Sequence, residues 1–499
     1  MKKKELLILI FILLGACIVR LYHFNYPILD WHAWRQVDTS AVSRSFVEQG
    51  FDIFHPKFED LSIGVSLLDN PKGYRFVEFP IYNVLQAGGF LLFNHLTLEE
   101  WGRLVTIFAS LGCVVFLYLF VKKYVSERAG MFTAFFFAFA PYDIYYGRTV
   151  LPDTLMVMCM LGGLYFFDRW VDKKNFQFSI FNFQFLLATL FTASAILLKP
   201  FVLFFSLPFL CIAWNAFGKE IIKRKSLWFF LILSVTPFIL WRVWMQQYPE
   251  GIPQSNWLFN GSEIRFKGAF FHWLFADRIA QLMLGYFGLP FVIIGILERV
   301  KKEGWIFLSC IVSACIYMFV IATGNVQHDY YQMLIMPTIA IFFGKGIDFI
   351  LTRSHDLFNT YTTYIIVVVS MIFSLAFSWF AIRDYYTLQH YDIAEVGAIV
   401  DNLVPKNTKV IAPFGGDTTF LYYTKRQGWP VVDRPFYKFV KAGAEYIAFV
   451  DPTPDELDLQ TKFTTVARGS HYAIFDLTKP TAIGKIFLQT EEKTDLKKK

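Results

Sequence analysis

The sequence predicts a mainly α-helical, polytopic membrane protein with a small α/β domain outside the membrane. Hydrophobic residues make up 55% of the 499-residue chain and charged residues only 17%, whereas charged residues average about 25% in soluble globular domains. Apolar runs of helical length recur over residues 1–385, and the segment after them mixes short apolar stretches with polar residues. Many membrane spans and one modest soluble domain fit both observations.

Eleven apolar runs each approach the roughly 20 residues that a helix needs to cross a bilayer. They lie at 6–19, 103–121, 130–146, 151–169, 180–198, 200–217, 227–246, 282–298, 305–323, 331–351 and 361–381. The first run follows a basic end and lacks a small-residue cleavage site, so we expect an uncleaved span that starts in the cytoplasm. Pro200 either separates the two runs beside it or kinks a single helix.

Basic residues support this count of spans. If the chain starts inside and crosses eleven times, each inside connection carries basic residues. They are Lys2, Lys3 and Lys4; Lys122, Lys123 and Arg128; Arg169, Lys173 and Lys174; Lys219, Lys223, Arg224 and Lys225; Arg299, Lys301 and Lys302; and Arg353. A missed or false span would invert every later loop. We therefore expect a multi-pass protein of the cytoplasmic (plasma) membrane with its N-terminus inside. The loops 25–102 and 247–281 and the C-terminal domain then lie outside.

The charge pattern argues against a nucleic-acid-binding protein, and the cysteine positions argue against a protein built on disulfides or cysteine-bound metal. The formal net charge of +7 comes from short clusters between apolar runs, as membrane topology requires, so we expect no nucleic-acid partner. Each of the six cysteines falls within an apolar run, which argues against a disulfide framework and a cysteine-based metal site.

Three regions follow from these patterns. Residues 1–385 form the membrane domain with its long first outer loop, 386–485 form the small α/β domain, and the charged tail 486–499 is predicted to be disordered. In the α/β domain, helical periodicity covers 391–403, and strand patterns cover 409–412, 446–450, 464–467 and 472–475, the last two as a hairpin.

Two carboxylates stand out in the first outer loop. Asp38 lies near the start of a helical pattern, so it is an N-cap, a functional group, or both. Glu78 lies between Val77 and Phe79. It is either a solvated loop acid or a carboxylate that has a raised pKa or a cationic partner.

Further ionisable residues lie in the connections that the charge count places outside. Asp153 follows Pro152 at a helix start, where an acid is favoured for structural reasons, and the fork of Arg148 could grip a phosphate. Lys199 either snorkels to the interface or approaches an anionic lipid head group. His328 is either a packed polar residue or a ligand or proton carrier.

In these residues, the chain resembles the GT-C superfamily of glycosyltransferases that use dolichyl- or undecaprenyl-phosphate sugars. This superfamily includes protein O-mannosyltransferases and lipid A aminoarabinose transferases. The resemblance covers the span pattern of residues 1–385 and four motifs. They are Asp38; Glu78-Phe79-Pro80; Gly147-Arg148 with Leu151-Pro152-Asp153; and His328-Asp329-Tyr330-Tyr331 with Met336-Pro337. Two positions depart from the family: Thr39 replaces a second acid, and Phe79 replaces a lysine that contacts the carrier phosphate in relatives.

The resemblance implies an enzyme that moves a sugar from a polyprenyl-phosphate carrier, with inversion, to a hydroxyl of a glycan, lipid or protein acceptor. Transfer would occur on the outer face of the cytoplasmic membrane. Asp38 would be the general base, Glu78 would orient the acceptor or hold a metal, and Asp153 would fix Arg148 or its loop. The carrier phosphate would be bound by Arg35, Arg148, Lys199 and Tyr330. Some relatives hold a divalent metal with the acid matching Glu78 and a histidine; His328 or alternatively His272 is the candidate here, and no other cofactor is expected.

Two alternatives remain open. A transporter or flippase for lipid-linked sugars would place ionisable residues near mid-span and show repeated halves. Here the ionisable residues cluster at loop ends, and no repeat is visible in the sequence. A polysaccharide ligase or polymerase uses similar lipid donors, and the sequence does not separate it from a transferase.

Overall fold

The computed structural model describes residues 3–172, 182–357 and 359–498 and is mostly helical. The chain divides into two compact units, which are described separately. The helical unit comprises Met1–Phe24, Glu100–Trp244 and Ser255–Tyr386. The loop-and-sheet unit comprises Asn25–Glu99, Met245–Gln254 and Thr387–Lys499. The predicted separation at residue 385 therefore differs from this division, because most of the first outer loop groups with the C-terminal residues.

Helices cover the apolar runs of the helical unit. The α-helices of eight residues or more are Lys3–Arg20, Leu98–Tyr124, Glu127–Phe139, Asp153–Val171, Phe183–Leu198, Ser206–Phe217, Lys225–Met245, Leu289–Leu297, Ile306–Val320, Met336–Thr352 and Thr360–Ile382. Among the described residues, five helical stretches are long and apolar enough to cross a membrane: Leu98–Tyr124, Asp153–Val171, Pro200–Lys223, Lys225–Met245 and Thr360–Tyr386. A polytopic helical fold agrees with the sequence, and the count of eleven crossings stays a prediction. Lys2, Lys173 and Lys174 of the charge count lie outside the described residues.

Two prolines end helices in this unit. Helix Phe183–Leu198 stops at Lys199, whose backbone is extended, and a 3-10 helix Pro200–Phe205 follows. Ala140 takes a similar non-helical conformation before the short helix Pro141–Tyr146. The residue before a proline is driven out of the helical region by the proline ring. Pro200 therefore separates two helices rather than kinking one.

Glycines allow two helices of this unit to pack backbone to backbone. A Cβ on Gly346 would lie 1.9 Å from the carbonyl oxygen of Phe291, and a Cβ on Gly295 would lie 2.0 Å from that of Phe342. Helices Leu289–Leu297 and Met336–Thr352 thus meet through small residues, as membrane helices commonly do.

The loop-and-sheet unit contains a five-stranded sheet with the order β2-β1-β3-β5-β4. The strands are β1 Lys409–Ile411, β2 Gly428–Trp429, β3 Ala444–Val450, β4 Phe463–Arg468 and β5 Tyr472–Pro480. Strand β1 runs parallel to β2 and β3, whereas β5 pairs antiparallel with β3 and β4. Each of the four predicted strands has its counterpart here, and β4 and β5 form the predicted hairpin. The two-residue strand β2 was not predicted.

The first outer loop joins this sheet. The backbone of Leu61 donates to the carbonyl of Gly428, and Gly428 donates back to Glu59, at 2.8 and 2.9 Å. The apolar side chains of Leu61 and Leu29 are buried in the two cores that cover the sheet. The helices of this unit with more than four residues are Ala33–Gln49, Ile81–Leu92, Asp392–Leu403, Thr419–Thr424, Phe436–Lys441 and Ala482–Lys498.

The described part of the tail differs from its predicted disorder, since helix Ala482–Lys498 covers residues 486–498. Its acids have partners on helix Phe436–Lys441. The Tyr437 hydroxyl donates to Asp495, and Lys441 pairs with Glu492. The charge that suggested disorder is therefore matched by opposite charge within the same unit.

Candidate active site

Asp38 is buried inside helix Ala33–Gln49 rather than capping it. The helix starts after His32, so Asp38 lies more than one turn inside, and the N-cap interpretation is wrong. One carboxylate oxygen lies 2.7 Å from Nη2 of Arg75, and the other accepts a hydrogen bond of 2.6 Å from the Thr418 hydroxyl. These two donors fix the orientation of the carboxylate, which has acceptor capacity beyond them.

Glu78 forms an ion pair with Arg35, and its side chain is only 13% exposed. Arg35 lies one helical turn before Thr39 and also donates to the Thr39 hydroxyl at 3.3 Å. Glu78 is therefore a partnered carboxylate and not a solvated loop acid. The resemblance assigns Arg35 to the carrier phosphate, and in this structure its guanidinium has the Glu78 carboxylate as a counter-ion.

The two ion pairs form one electrostatic group in the loop-and-sheet unit. Burial lowers the pKa of Arg75, and the Asp38 carboxylate opposes this shift. The charges of Arg35 and Glu78 also act on Arg75, in opposite directions. The arrangement therefore presents an oriented acid at Asp38.

A cation–acid pair lies in the helical unit. The ammonium of Lys199 is 2.8 Å from both carboxylate oxygens of Asp153. It also lies 5.2 and 5.3 Å from the ring centroids of Tyr330 and Tyr331, within the range of cation–π attraction. Asp153 thus fixes Lys199 in this structure, whereas its predicted role was to fix Arg148 or the loop. Lys199 is buried and paired, so it does not merely snorkel.

Arg148 is buried in the same unit and oriented by backbone and aromatic groups. Its Nη1 donates to the carbonyl of His23 at 3.0 Å, and its guanidinium carbon is 4.8 Å from the ring centroid of Tyr386 and 5.7 Å from that of Tyr145. A guanidinium stacked on rings keeps its planar fork in a defined direction. This geometry suits recognition of a phosphate.

The candidate metal ligands do not form a metal centre. Glu78 already pairs with Arg35, whose positive charge opposes a nearby cation. His272 faces Asp277 at 3.3 Å, and His328 stacks on the rings of Tyr330 and Tyr331. Among the described residues, no three His, Cys, Asp or Glu side chains are grouped so that they could hold a metal ion. We therefore assign no catalytic step to a metal ion.

Three residues of these groups were missed from the sequence: Arg75, Thr418 and Asp329. Arg75 precedes Glu78 by three residues in a stretch that is otherwise apolar, which was an available signal. Thr418 lies 380 residues from Asp38 along the chain, and no local pattern points to it. The carboxylate of Asp329 accepts hydrogen bonds from Tyr146 and Tyr385 and lies 3.6 Å from Nη1 of Arg278. It was quoted only as part of a motif.

Comparisons with known proteins match the predicted class. Residues 77–244 match the model of the family described as dolichyl-phosphate-mannose-protein mannosyltransferase. The crystal structure of ArnT from Cupriavidus metallidurans bound to undecaprenyl phosphate superposes with a TM-score of 0.65 at 14% identity, covering 93% of this chain and 97% of ArnT. The oligosaccharyltransferase AglB from Archaeoglobus fulgidus, in complex with an inhibitory peptide and a dolichol-phosphate, superposes at 0.59 and 10% identity, covering 92% and 70%. No curated protein matches in sequence.

These matches confirm the predicted resemblance. The chain shares the fold of ArnT and AglB, and the family model covers its residues 77–244.

Proposed function

We propose that the protein is an integral membrane glycosyltransferase that moves a sugar from a polyprenyl-phosphate carrier to an acceptor hydroxyl. The observation that carries the proposal is the buried Asp38 carboxylate, held between Arg75 and Thr418. A general base needs a fixed direction and a remaining lone pair for the incoming proton, and Asp38 has both.

The reaction is a single displacement at the anomeric carbon. The acceptor oxygen attacks this carbon, its proton passes to Asp38, and the bond from the anomeric carbon to the carrier phosphate oxygen breaks. Polyprenyl phosphate leaves with the bonding electron pair, and the configuration inverts. Proton transfer to a positioned base typically accelerates such a step by about 10²–10⁴-fold.

Cations of the helical unit stabilise the negative charge that grows on the leaving phosphate. Arg148 and Lys199 are the two assigned to this role. Tyr330 lies beside the ammonium of Lys199 and Asp153 holds it, so both act as positioning residues. Arg35 and Glu78 are positioning residues beside Asp38. Arg35 lies on the helix that carries the base, and its ion pair holds Glu78 against that helix.

The proposal also includes the number of membrane crossings and the side of the membrane on which the loops lie. Eleven crossings with the N-terminus inside place the Asp38 loop and the C-terminal domain on the outer face of the cytoplasmic membrane. The lipid carrier fits this placement, since a donor with a long apolar tail is reached only at the bilayer. The ligands bound in the two similar structures, undecaprenyl phosphate in ArnT and dolichol-phosphate in AglB, support a donor of this chemistry.

The test offers the purified protein a panel of polyprenyl-phosphate and polyprenyl-diphosphate sugars and measures release of free carrier. We expect release from monophosphate-linked sugars when an acceptor is present. Release from diphosphate-linked oligosaccharides alone would favour a polymerase or ligase instead. Movement of intact donor across vesicles without release would favour a flippase.

A further inference from the structure

The loop-and-sheet unit contains a cavity of about 260 Å³ that the reaction above does not use. It lies between the start of helix Ala33–Gln49 and two C-terminal segments, 389–393 and 414–419. Its walls include the aromatic side chains of Trp31, Trp34 and Phe414, which are all partly exposed, together with several polar groups.

The lining has the chemistry that recognises carbohydrate. The C–H faces of a sugar ring stack on flat aromatic rings, and its hydroxyls donate to carboxylates. Two carboxylates, Asp30 and Asp417, complete the lining. Half of the twelve lining residues are apolar and half are polar, so the cavity combines apolar walls with polar groups that can orient a ligand.

Both carboxylates are held in place. The Asp417 carboxylate accepts a 2.7 Å hydrogen bond from the Thr419 backbone, and Asp30 accepts one of 2.7 Å from the amide of Gln36. Burial raises the pKa of Asp417, and its hydrogen bond with Thr419 opposes this shift.

Two connections lead from the cavity to Asp38, one through a hydrogen bond and one along a helix. Thr418, between the lining residues Asp417 and Thr419, donates its hydroxyl to Asp38. Trp34 precedes Asp38 by one helical turn and therefore lies on the same helix face. The lining histidines His32 and His390 both have left-handed backbone, with φ of 58° and 53°; such conformations in non-glycine residues concentrate at functional sites.

The size of the cavity fits one sugar ring. At about 30 Å³ per liquid water molecule, a volume of about 260 Å³ holds roughly nine waters. A hexose has twelve heavy atoms, six of them in its ring, so it fills this space when part of it projects from the opening.

We propose that this cavity binds a sugar ring of the acceptor and presents one of its hydroxyls to Asp38, so that the acceptor is a glycan. This inference rests on the proposed function, and it assigns the C-terminal residues Phe414 and Asp417 to acceptor recognition.

The test is saturation-transfer NMR on the full-length protein in detergent, with methyl glycosides of glucose, galactose, mannose, N-acetylglucosamine and N-acetylgalactosamine as probes. At least one glycoside should receive saturation on its ring protons. Trp31→Ala should weaken its binding roughly tenfold, the loss expected for one stacking contact of about 1.4 kcal/mol. Asp417→Asn should weaken it as well. Trp31→Phe should keep detectable binding, and Trp305→Ala, which removes an exposed tryptophan outside the cavity, should match the wild type.

Two outcomes overturn the inference: no glycoside binds the wild type, or Trp31→Ala binds as tightly as the wild type. The readout needs no turnover, so it separates this inference from the proposed function. If Asp38→Asn still transfers sugar while the cavity variants lose glycoside binding, the base assignment fails and the cavity assignment holds. If the wild type transfers sugar, Asp38→Asn does not and no glycoside binds, the cavity assignment alone fails.

Discussion

Arg75 is the residue whose removal tests the proposed site most sharply, because its guanidinium holds the Asp38 carboxylate at 2.7 Å. The two side chains are only 10% and 6% exposed. Removing one partner of a buried pair strands the other charge and costs about 3–5 kcal/mol of stability. Arg75→Ala also frees the carboxylate to rotate, and a misplaced catalytic group costs roughly 10²-fold in rate. We therefore expect kcat to fall about 10²-fold in the folded enzyme, with little change in the donor KM.

Arg44→Ala provides the matched control. Arg44 is 11% exposed and pairs with Glu59, a carboxylate of the same loop that is 12% exposed. Its loss should lower the unfolding temperature by a similar amount and leave the kcat of the folded fraction unchanged. The double variant Asp38→Asn with Arg75→Ala should be more stable than Arg75→Ala alone, since no buried acid is stranded.

Carrier release measured at saturating donor gives kcat, and unfolding monitored by intrinsic fluorescence gives stability. The reasoning is refuted if Arg75→Ala keeps wild-type kcat. It is equally refuted if Arg44→Ala loses as much kcat as Arg75→Ala, because the effect would then report stability rather than orientation.

Three further predictions follow from other contacts. Lys199→Ala should lower kcat/KM for the donor at least about tenfold, the loss of one charged contact to the leaving phosphate. Lys345→Ala, which breaks the buried pair with Glu303, should lower stability and leave kcat/KM of the folded fraction unchanged. Equal kcat/KM values for the two variants would contradict the phosphate role. Burial raises the pKa of Asp60 to about 6, above its unfolded value near 3.9. The native state therefore binds the extra proton, and up to roughly 3 kcal/mol of stability is lost as pH rises from about 4 to 6. The unfolding temperature, measured from pH 4.5 to 7.5, should show this loss of stability in the wild type and a smaller loss in Asp60→Asn. The same pH dependence in both proteins would contradict the prediction. A chelator should leave turnover unchanged because Arg35 already neutralises Glu78; loss of activity that Mg²⁺, Mn²⁺ or Zn²⁺ restores would contradict this.

The elements that were predictable from the sequence are those with strong local patterns. Helix Asp392–Leu403 and the strands β1, β3, β4 and β5 follow from periodicity. Strand β2 was not predicted because two residues are too few to show an alternating hydrophobic pattern. Gly428 pairs with Val410 of β1 only through the tertiary fold. A Cβ at Gly428 would lie 1.6 Å from the carbonyl oxygen of Val410, a requirement that only the folded structure reveals.

The residues of the candidate site also divide into those with a local sequence signal and those that only the folded structure reveals. Asp38 and Glu78 could be found because Asp38 lies near the start of a helical pattern and Glu78 lies between apolar neighbours, but their partners depend on tertiary contacts. Thr418 reaches Asp38 across 380 residues of chain, and Asp153 holds Lys199 across 46. Charge along the sequence also misled at the tail, since the acids that suggested disorder pair with helix Phe436–Lys441.

The general-base role of Asp38 is tested most directly by carrier release from a polyprenyl-phosphate sugar in Asp38→Asn and Asp60→Asn. Both variants replace a buried acid of the same loop by its amide, and the Asp60 amide can still accept the hydrogen bond from the backbone of Ser62. We expect Asp38→Asn to lose about 10²–10⁴-fold in turnover while it still binds donor, and Asp60→Asn to retain wild-type turnover. Full turnover in Asp38→Asn would contradict the assignment of Asp38 as the base.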